Sequence, residues 1–319
     1  MSDVVMTEKK AGVLSKSMKL VYVYAMATGA IFTFMCYWDG IFMSYTGPAT
    51  FLAFALMTLA VLPTAFVYAE YSTMLPSTGS CLVFNTVGLN KHAGFWSAWL
   101  IMCAWIAVPA AGVLGIIDWL NYQFHLNLVG TKAVIVGALV LCAWFVLVMG
   151  IVGVVFPIGT SVLGFWYSGV RMIFAMGRQN FLPKQFSYTN KYNKPILPNI
   201  LILLVSIGFI AMQSITAFFD LMAFACALCY VITSISSLVA DKKHPEWERP
   251  YKCAKALKIA SLIIMAVIAF FCTIGIKRTT WIGFIGYIGV GALLWLYMIF
   301  IKWPKEKVWM KTPDGEKEF

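Results

Sequence analysis

Residues 28–48 read TGAIFTFMCYWDGIFMSYTGP, an apolar run of membrane-helix character that carries Trp38, Asp39 and Gly40 at its middle. An acid halfway through such a helix costs a few kcal/mol even on a lenient insertion scale (~2.5–3.5) and normally faces a cavity, a partner or a solute rather than lipid. The neighbouring glycine lets the helix loosen, which frees backbone groups for binding. A helix interrupted near the membrane midplane is how many secondary transporters build a solute site. The competing reading is a polar kink that only packs against a neighbour.

Composition supports a membrane setting for that run. The 319 residues are 61% hydrophobic and 12% charged, with a mean hydropathy of +0.83. A soluble domain carries roughly twice that charged fraction. The chain therefore reads as an all-α, polytopic transmembrane helix bundle. The net charge of +11 sits in short loops and at both ends, the pattern that orients membrane helices, so no nucleic-acid partner is implied. Residues 1–19 form a polar leader with no small-residue cleavage site before the first span.

Cys36, Cys103, Cys142, Cys226, Cys229 and Cys272 lie in apolar runs, where cysteine behaves as a small hydrophobe. Cys226 and Cys229 share a helix face, but no second pair or histidine stands nearby in sequence. His92, His125 and His244 fall in loops. No metal, no cofactor and no catalytic constellation is expected, which sets the enzyme class aside.

A span needs about 20 apolar residues. Spans are expected near 20–45, then after a Gly47-Pro48 break to Ala69, and over 94–120, with 71–93 a loop containing a short interfacial helix. Trp96, Trp99, Trp105 and Trp119 enrich the third span, those near its ends suiting the headgroup level. Residues 133–177 stay apolar apart from Arg171, and as one helix would measure about 67 Å, twice the bilayer core. Pro157 and Gly159 interrupt that run. Further spans fall near 196–213, 217–240, 256–276 and 281–301, separated by basic loops at 178–194 and 241–252.

Lys9, Lys10, Lys16 and Lys19 place the N-terminus in the cytoplasm, as Lys302, Lys305, Lys307 and Lys311 place the tail. Keeping both basic loops inside requires 133–177 to make one net crossing, which gives eight in all.

Several motifs resemble the amino acid–polyamine–organocation (APC) superfamily of permeases. DGIF at 39–42 stands where that family has a small-residue unwinding motif, and Gly47-Pro48-Ala49 matches its break into the second helix. Tyr68-Ala69-Glu70, Leu75-Pro76-Ser77-Thr78-Gly79 and Gly94-Phe95-Trp96 follow in order. A second block comprises Gly164-Phe165, Arg171, Phe174-Ala175-Met176-Gly177-Arg178, Leu182-Pro183, Lys194-Pro195, His244-Pro245 and Glu248-Arg249-Pro250-Tyr251-Lys252.

The resemblance implies a LeuT-like, inverted-repeat transporter fold, here partial. MGIVG at 149–153 resembles the end of the family's fourth helix, and by Gly164 the chain matches the second half of the eighth. Helices five to seven and the start of eight are thus missing from the pattern, and the absent sixth would form the other wall of the site. The implied organisation is a leader (1–19), a permease domain (20–302) and a cytoplasmic tail (303–319). Within the domain, 20–153 holds helices one to four, 154–177 a fused eighth-like segment and 196–302 helices nine to twelve.

The implied function is secondary transport of an amino acid or amine across the cell membrane by alternating access, by proton symport or solute exchange. The alternative is a non-transporting fragment or a membrane-embedded binding or regulatory protein. The implied partners are the small-molecule substrate, protons, the lipid bilayer and, to supply the absent wall, further copies of the chain. Candidate substrate-binding residues are Trp38, Asp39, Gly40, Ile41 and Phe42, with Trp105, Val108 and Phe165 as weaker lining positions. Asp39 has three open roles: favouring an ammonium, taking up a proton, or capping loosened backbone. Tyr230, Thr233 and Ser234 are polar enough to reach the same cavity, and Glu70 reads as a packed boundary residue.

Overall fold

The structure is a computed structural model that describes residues 39–150, 157–190, 194–210 and 215–319. Helix α1 (Asp39–Thr46) and the long α2 (Ala49–Met74) are separated by the expected break. Gly47 adopts φ +57° there, a left-handed conformation that glycine takes without steric cost. Thr50 closes the turn by donating to the Gly47 carbonyl at 2.8 Å.

Next come α3 (Cys81–Gly88), α4 (Lys91–Phe124), α5 (Thr131–Gly150), α6 (Pro157–Arg178), α7 (Ile196–Ile210), α8 (Ile215–Lys243), α9 (Lys255–Gly275) and α10 (Arg278–Tyr297). A π-turn (Met298–Lys302) and an antiparallel hairpin of β1 (Trp309–Thr312) and β2 (Gly315–Glu318) end the chain. Among the described residues, five helical stretches are long and apolar enough to cross a membrane: Ala49–Met74, Lys91–Phe124, Ala217–Lys243, Lys255–Ile274 and Thr280–Lys302.

The bundle is organised on α4, which packs against α3, α5, α6, α7, α8 and α10. At 1.5 Å per residue it is about 51 Å long, and Asn90 starts it by accepting from the Ala93 N–H at 2.9 Å. Every residue of α3 is buried, which corrects the expectation of an interfacial helix there. It is a plug between α4 and α8. Trp99 departs from expectation too: it lies buried against α10, stacked on Tyr287 with centroids 4.9 Å apart, instead of reaching a headgroup region.

One end of the bundle gathers the basic segments. Asn180, after α6, donates to the Lys307 carbonyl at 2.9 Å, and Trp303 donates to the Asn180 carbonyl at 3.1 Å. Trp247, after α8, donates to Asp314 at 2.7 Å, and Lys243 to the Leu89 carbonyl at 3.3 Å. Both basic loops, the α3–α4 connection and the tail therefore share one end.

Residues 133–177 do not form one over-long rod. Asn121 clamps the turn after α4, donating to the Leu128 carbonyl at 3.0 Å and accepting its N–H at 2.7 Å. By Gly137, α5 lies beside α4: a Cβ on that glycine would stand 3.2 Å from Val113 Cγ1. In α6, a Cβ on Gly169 would stand 3.7 Å from Trp105 Cβ, and Ala175 reaches Gly79, ahead of α3. Val113 and Trp105 are about 12 Å apart along α4, whereas a straight helix would separate Gly137 from Gly169 by about 48 Å.

The stretch is thus two span-sized helices. Both run antiparallel to α4, and so in the same direction as each other. Consecutive helices joined by a short link are ordinarily antiparallel neighbours; here only residues 151–156, outside the described set, intervene.

Candidate functional site

Of the residues singled out in sequence, Trp38 lies outside the described residues. Asp39, Gly40 and Ile41 have helical backbone within α1, so among the described residues the loosening expected at Gly40 is replaced by regular turns. Phe42 is half-buried, edge-on to Phe54 of α2 at 5.9 Å and to Phe219 of α8 at 5.5 Å between centroids. Of the other three, Trp105 falls on the α4–α6 contact, and Val108 and Phe165 lie one turn away on those helices. Trp105 is half-buried beside Gly169, Val108 is buried one turn further along α4, and Phe165 lies one turn before Gly169 on α6. Next to Phe165, Trp166 is buried and donates to Asn199 Oδ1 of α7 at 2.8 Å.

A buried polar seam runs between α2, α3, α8 and α9, and sequence reasoning reached only its α8 members. Thr64 and Ser261 share a hydrogen bond at 2.8 Å, and Ser261 shares another with Ser234, also at 2.8 Å. Tyr68 and Thr233 lie 3.3 Å apart, and Asn85 Nδ2 donates to Thr233 at 3.0 Å. Cys229 Sγ stands 3.8 Å from the Tyr68 hydroxyl, and Tyr71 pairs with Ser236 at 2.8 Å. Asn85 Oδ1 is buried with no hydrogen-bond partner among the described residues. An open buried acceptor carries a desolvation cost of roughly 1–3 kcal/mol, so Asn85 Oδ1 is hydrogen-bonding capacity that the seam leaves unmet.

At the basic end the seam gives way to a quartet of charges. Glu70 closes α2, Asp241 closes α8, Lys258 sits in the first turn of α9, and Arg249 comes from the loop between α8 and α9. Arg249 Nη1 donates to Glu70 Oε1 at 2.7 Å and also to Asp241, and Lys258 Nζ lies 2.6 Å from Glu70 Oε2 and 2.8 Å from Asp241 Oδ2. Glu70 also accepts from the Cys253 N–H at 3.3 Å. Two acids and two bases cancel, and each carboxylate meets both cations. The quartet adds a charge clamp to the hydrogen bonds and packing that already join α2, α8 and α9.

The hairpin is held at the same end. His244 stacks on Trp247 with centroids 3.9 Å apart, and Trp247 reaches Asp314, which also accepts from Lys317 at 2.7 Å. Hydrogen bonds from Lys317 and Trp247 hold the Asp314 carboxyl below the usual carboxylate range. A depressed folded pKa gives a contribution that is complete above the unfolded value of about 3.9 and is lost as pH falls through the folded value. Amide protection across residues 309–318, taken relative to the intrinsic exchange rate at each pH, is therefore expected to hold down to about pH 4 and to fall below it. Asp314→Ala, which removes the acceptor, should abolish that protection already at pH 7; full protection in that variant would mean the Trp247 contact does not hold the hairpin.

Comparison with known proteins places half of this architecture. Residues 144–301 match the amino acid permease family. The chain is also 27% identical over 145 residues to the methylthioribose transporter of Bacillus subtilis (strain 168). That match covers 45% of this chain and 31% of the relative, so the aligned part spans about a third of the curated protein. With its apolar spans, the chain is an integral membrane protein, and both comparisons point to a transporter rather than an enzyme. The family likeness thus runs from the end of α5 through α10, over residues 144–301, just under half of the chain.

Proposed function

We propose that this chain takes part in secondary transport of amino acids or related amines across the cell membrane, by alternating access coupled to protons or to solute exchange. The permease match over 144–301 carries the reading. The buried seam supports it: an apolar helix bundle that holds Tyr68, Asn85 and Thr233 in its interior, with one acceptor open, has polar contacts to offer a solute. Asp39, Gly40 and Ile41 on α1, with Trp38 before it, Phe42 between α2 and α8, and Trp105, Val108 and Phe165 at or within a turn of the α4–α6 contact, are the proposed lining. The basic end is assigned to the cytoplasm by its lysines and arginines, with both termini there. The relative's name adds methylthioribose to the solutes worth testing.

A second reading is favoured by one observation. Helices α5 and α6 run the same way with only residues 151–156 between them, which fits a permease pattern lacking the hairpins that would return the chain. On that reading the second wall of the pathway is absent, and the protein binds without transporting.

Counterflow in liposomes separates the two. The purified chain, shown to be folded and inserted, is reconstituted with a pool of amino acids, amines and methylthioribose, and uptake of each labelled member is followed. Uptake that Asp39→Asn reduces or shifts in pH dependence is the expected result. No counterflow for any solute would leave the second reading standing.

A further inference from the structure

We propose that the cleft between the loop after α6 and the turn after α10 is a binding site for the headgroup of an acidic phospholipid. The cleft has a volume of about 440 Å³ and is lined by Lys184, Lys302, Lys305 and Glu306, with Tyr297 and Ile301 on its other side. That volume falls in the range of small-ligand sites, about 300–1,000 Å³, and a phosphoglycerol head fits within it.

The charge is unbalanced. Three ammonium groups face one carboxylate, a local excess of two positive charges. Lys184 Nζ lies 3.1 Å from Glu306 Oε1, and Lys302 Nζ lies 3.9 Å from Glu306 Oε2 while also donating to the Leu182 carbonyl. Lys305 makes no ion pair among the described residues and is exposed. Glu306 is shared by two lysines, so the cleft has cationic capacity that its own acid does not meet. A phosphodiester is the group that balances it.

The position selects a lipid over a free anion. Tyr297 and Ile301 end the membrane-spanning stretch Thr280–Lys302 and stay about half exposed. Phe300 beside them, and Val290 and Leu293 below, continue an exposed apolar stripe along the same segment. A headgroup in the cleft would lay its acyl chains on that stripe. Basic pockets at the boundary between membrane helices and the aqueous phase recognise acidic headgroups in this way, each lysine contributing about 1 kcal/mol.

The test measures lipid retained by the full chain in native mass spectrometry, with phosphatidylglycerol or phosphatidylcholine supplied in equal amount. The wild-type chain should retain phosphatidylglycerol preferentially. The double variant Lys184→Gln/Lys305→Gln should lower that retention about 30-fold. The same charge loss at the same end in Lys252→Gln/Lys255→Gln should leave it unchanged, and Glu306→Gln, which adds to the positive excess, should raise it. Melting temperature in phosphatidylcholine confirms that each variant is folded. Equal retention of the two lipids, or equal loss in both double variants, overturns the site. Displacement of phosphatidylglycerol by millimolar inorganic phosphate would make the ligand a free anion and overturn the lipid assignment.

Discussion

Glu70→Ala is expected to cost about 3–5 kcal/mol, because removing one partner of a buried ion pair leaves the other charge uncompensated. Lys258 is fully buried and Arg249 nearly so, and without Glu70 both must share Asp241. Asp241 is the member that solvent reaches, with a quarter of its side chain exposed, so Asp241→Asn should be milder. Lys258→Met should be as damaging as Glu70→Ala, since it leaves two carboxylates on one guanidinium.

The double variant Glu70→Ala/Lys258→Met restores neutrality, with Arg249 facing Asp241 alone, and should recover part of the loss. A non-additive cycle of this kind, read from melting midpoints in detergent or nanodiscs, is the signature of a coupled pair. Additive losses would mean that the four residues act separately, and a silent Glu70→Ala would mean that water already reaches the quartet. The quartet joins the ends of α2, α8 and α9, so its loss should also speed proteolysis at the α8–α9 loop.

The quartet also marks where sequence reading stopped. Glu70 was legible as a packed residue at a span end, because an acid directly after an apolar run has few other places to be. Its partners were not legible: Arg249 is 179 positions away, in a loop whose basic character already had an explanation in membrane orientation, and Lys258 falls inside the expected span 256–276, where the sequence names no partner for it. The polar seam was hidden for a related reason. Thr233 and Ser234 each hydrogen-bond the carbonyl four residues back, at 3.0 and 2.9 Å, and a hydroxyl satisfied locally is silent about what else it touches.

The Gly47-Pro48 break was legible because both residues dictate backbone geometry by themselves. Periodicity carries no sign, so the common direction of α5 and α6 was implied only by the resemblance, in which the fourth and eighth helices run the same way. The spans themselves were read from composition, the one property of a membrane helix that needs no partner.

Gly94→Ala is the second large effect expected, and its cause is steric. A Cβ on Gly94 would stand 2.8 Å from the Leu82 carbonyl oxygen and 3.1 Å from Thr86 Cβ. The carbonyl is backbone, and Thr86 is fixed by its own 2.6 Å hydrogen bond to it, so neither can yield without moving α3. That helix has nowhere to go. Its far side meets α2 and α8, where a Cβ on Gly88 would stand 2.6 Å from the Tyr71 hydroxyl and 2.9 Å from the Ser236 carbonyl. Small residues at such crossings let membrane helices approach backbone to backbone.

Overpacking of this kind costs about 1–3 kcal/mol and more against rigid neighbours, so Gly94→Ala and Gly88→Ala should each lower the melting midpoint clearly. Gly208, Gly286 and Gly289 face open space, and alanine there should be neutral or stabilising by up to about 1 kcal/mol, since glycine is the poorer helix former. Thr86→Ala should relieve part of the Gly94→Ala defect but not all of it, because the Leu82 carbonyl remains. A Gly94→Ala protein that melts like the wild type would show that α3 can shift on α4, and the buried seam that depends on its position, from Asn85 to Thr233, would then be movable as well.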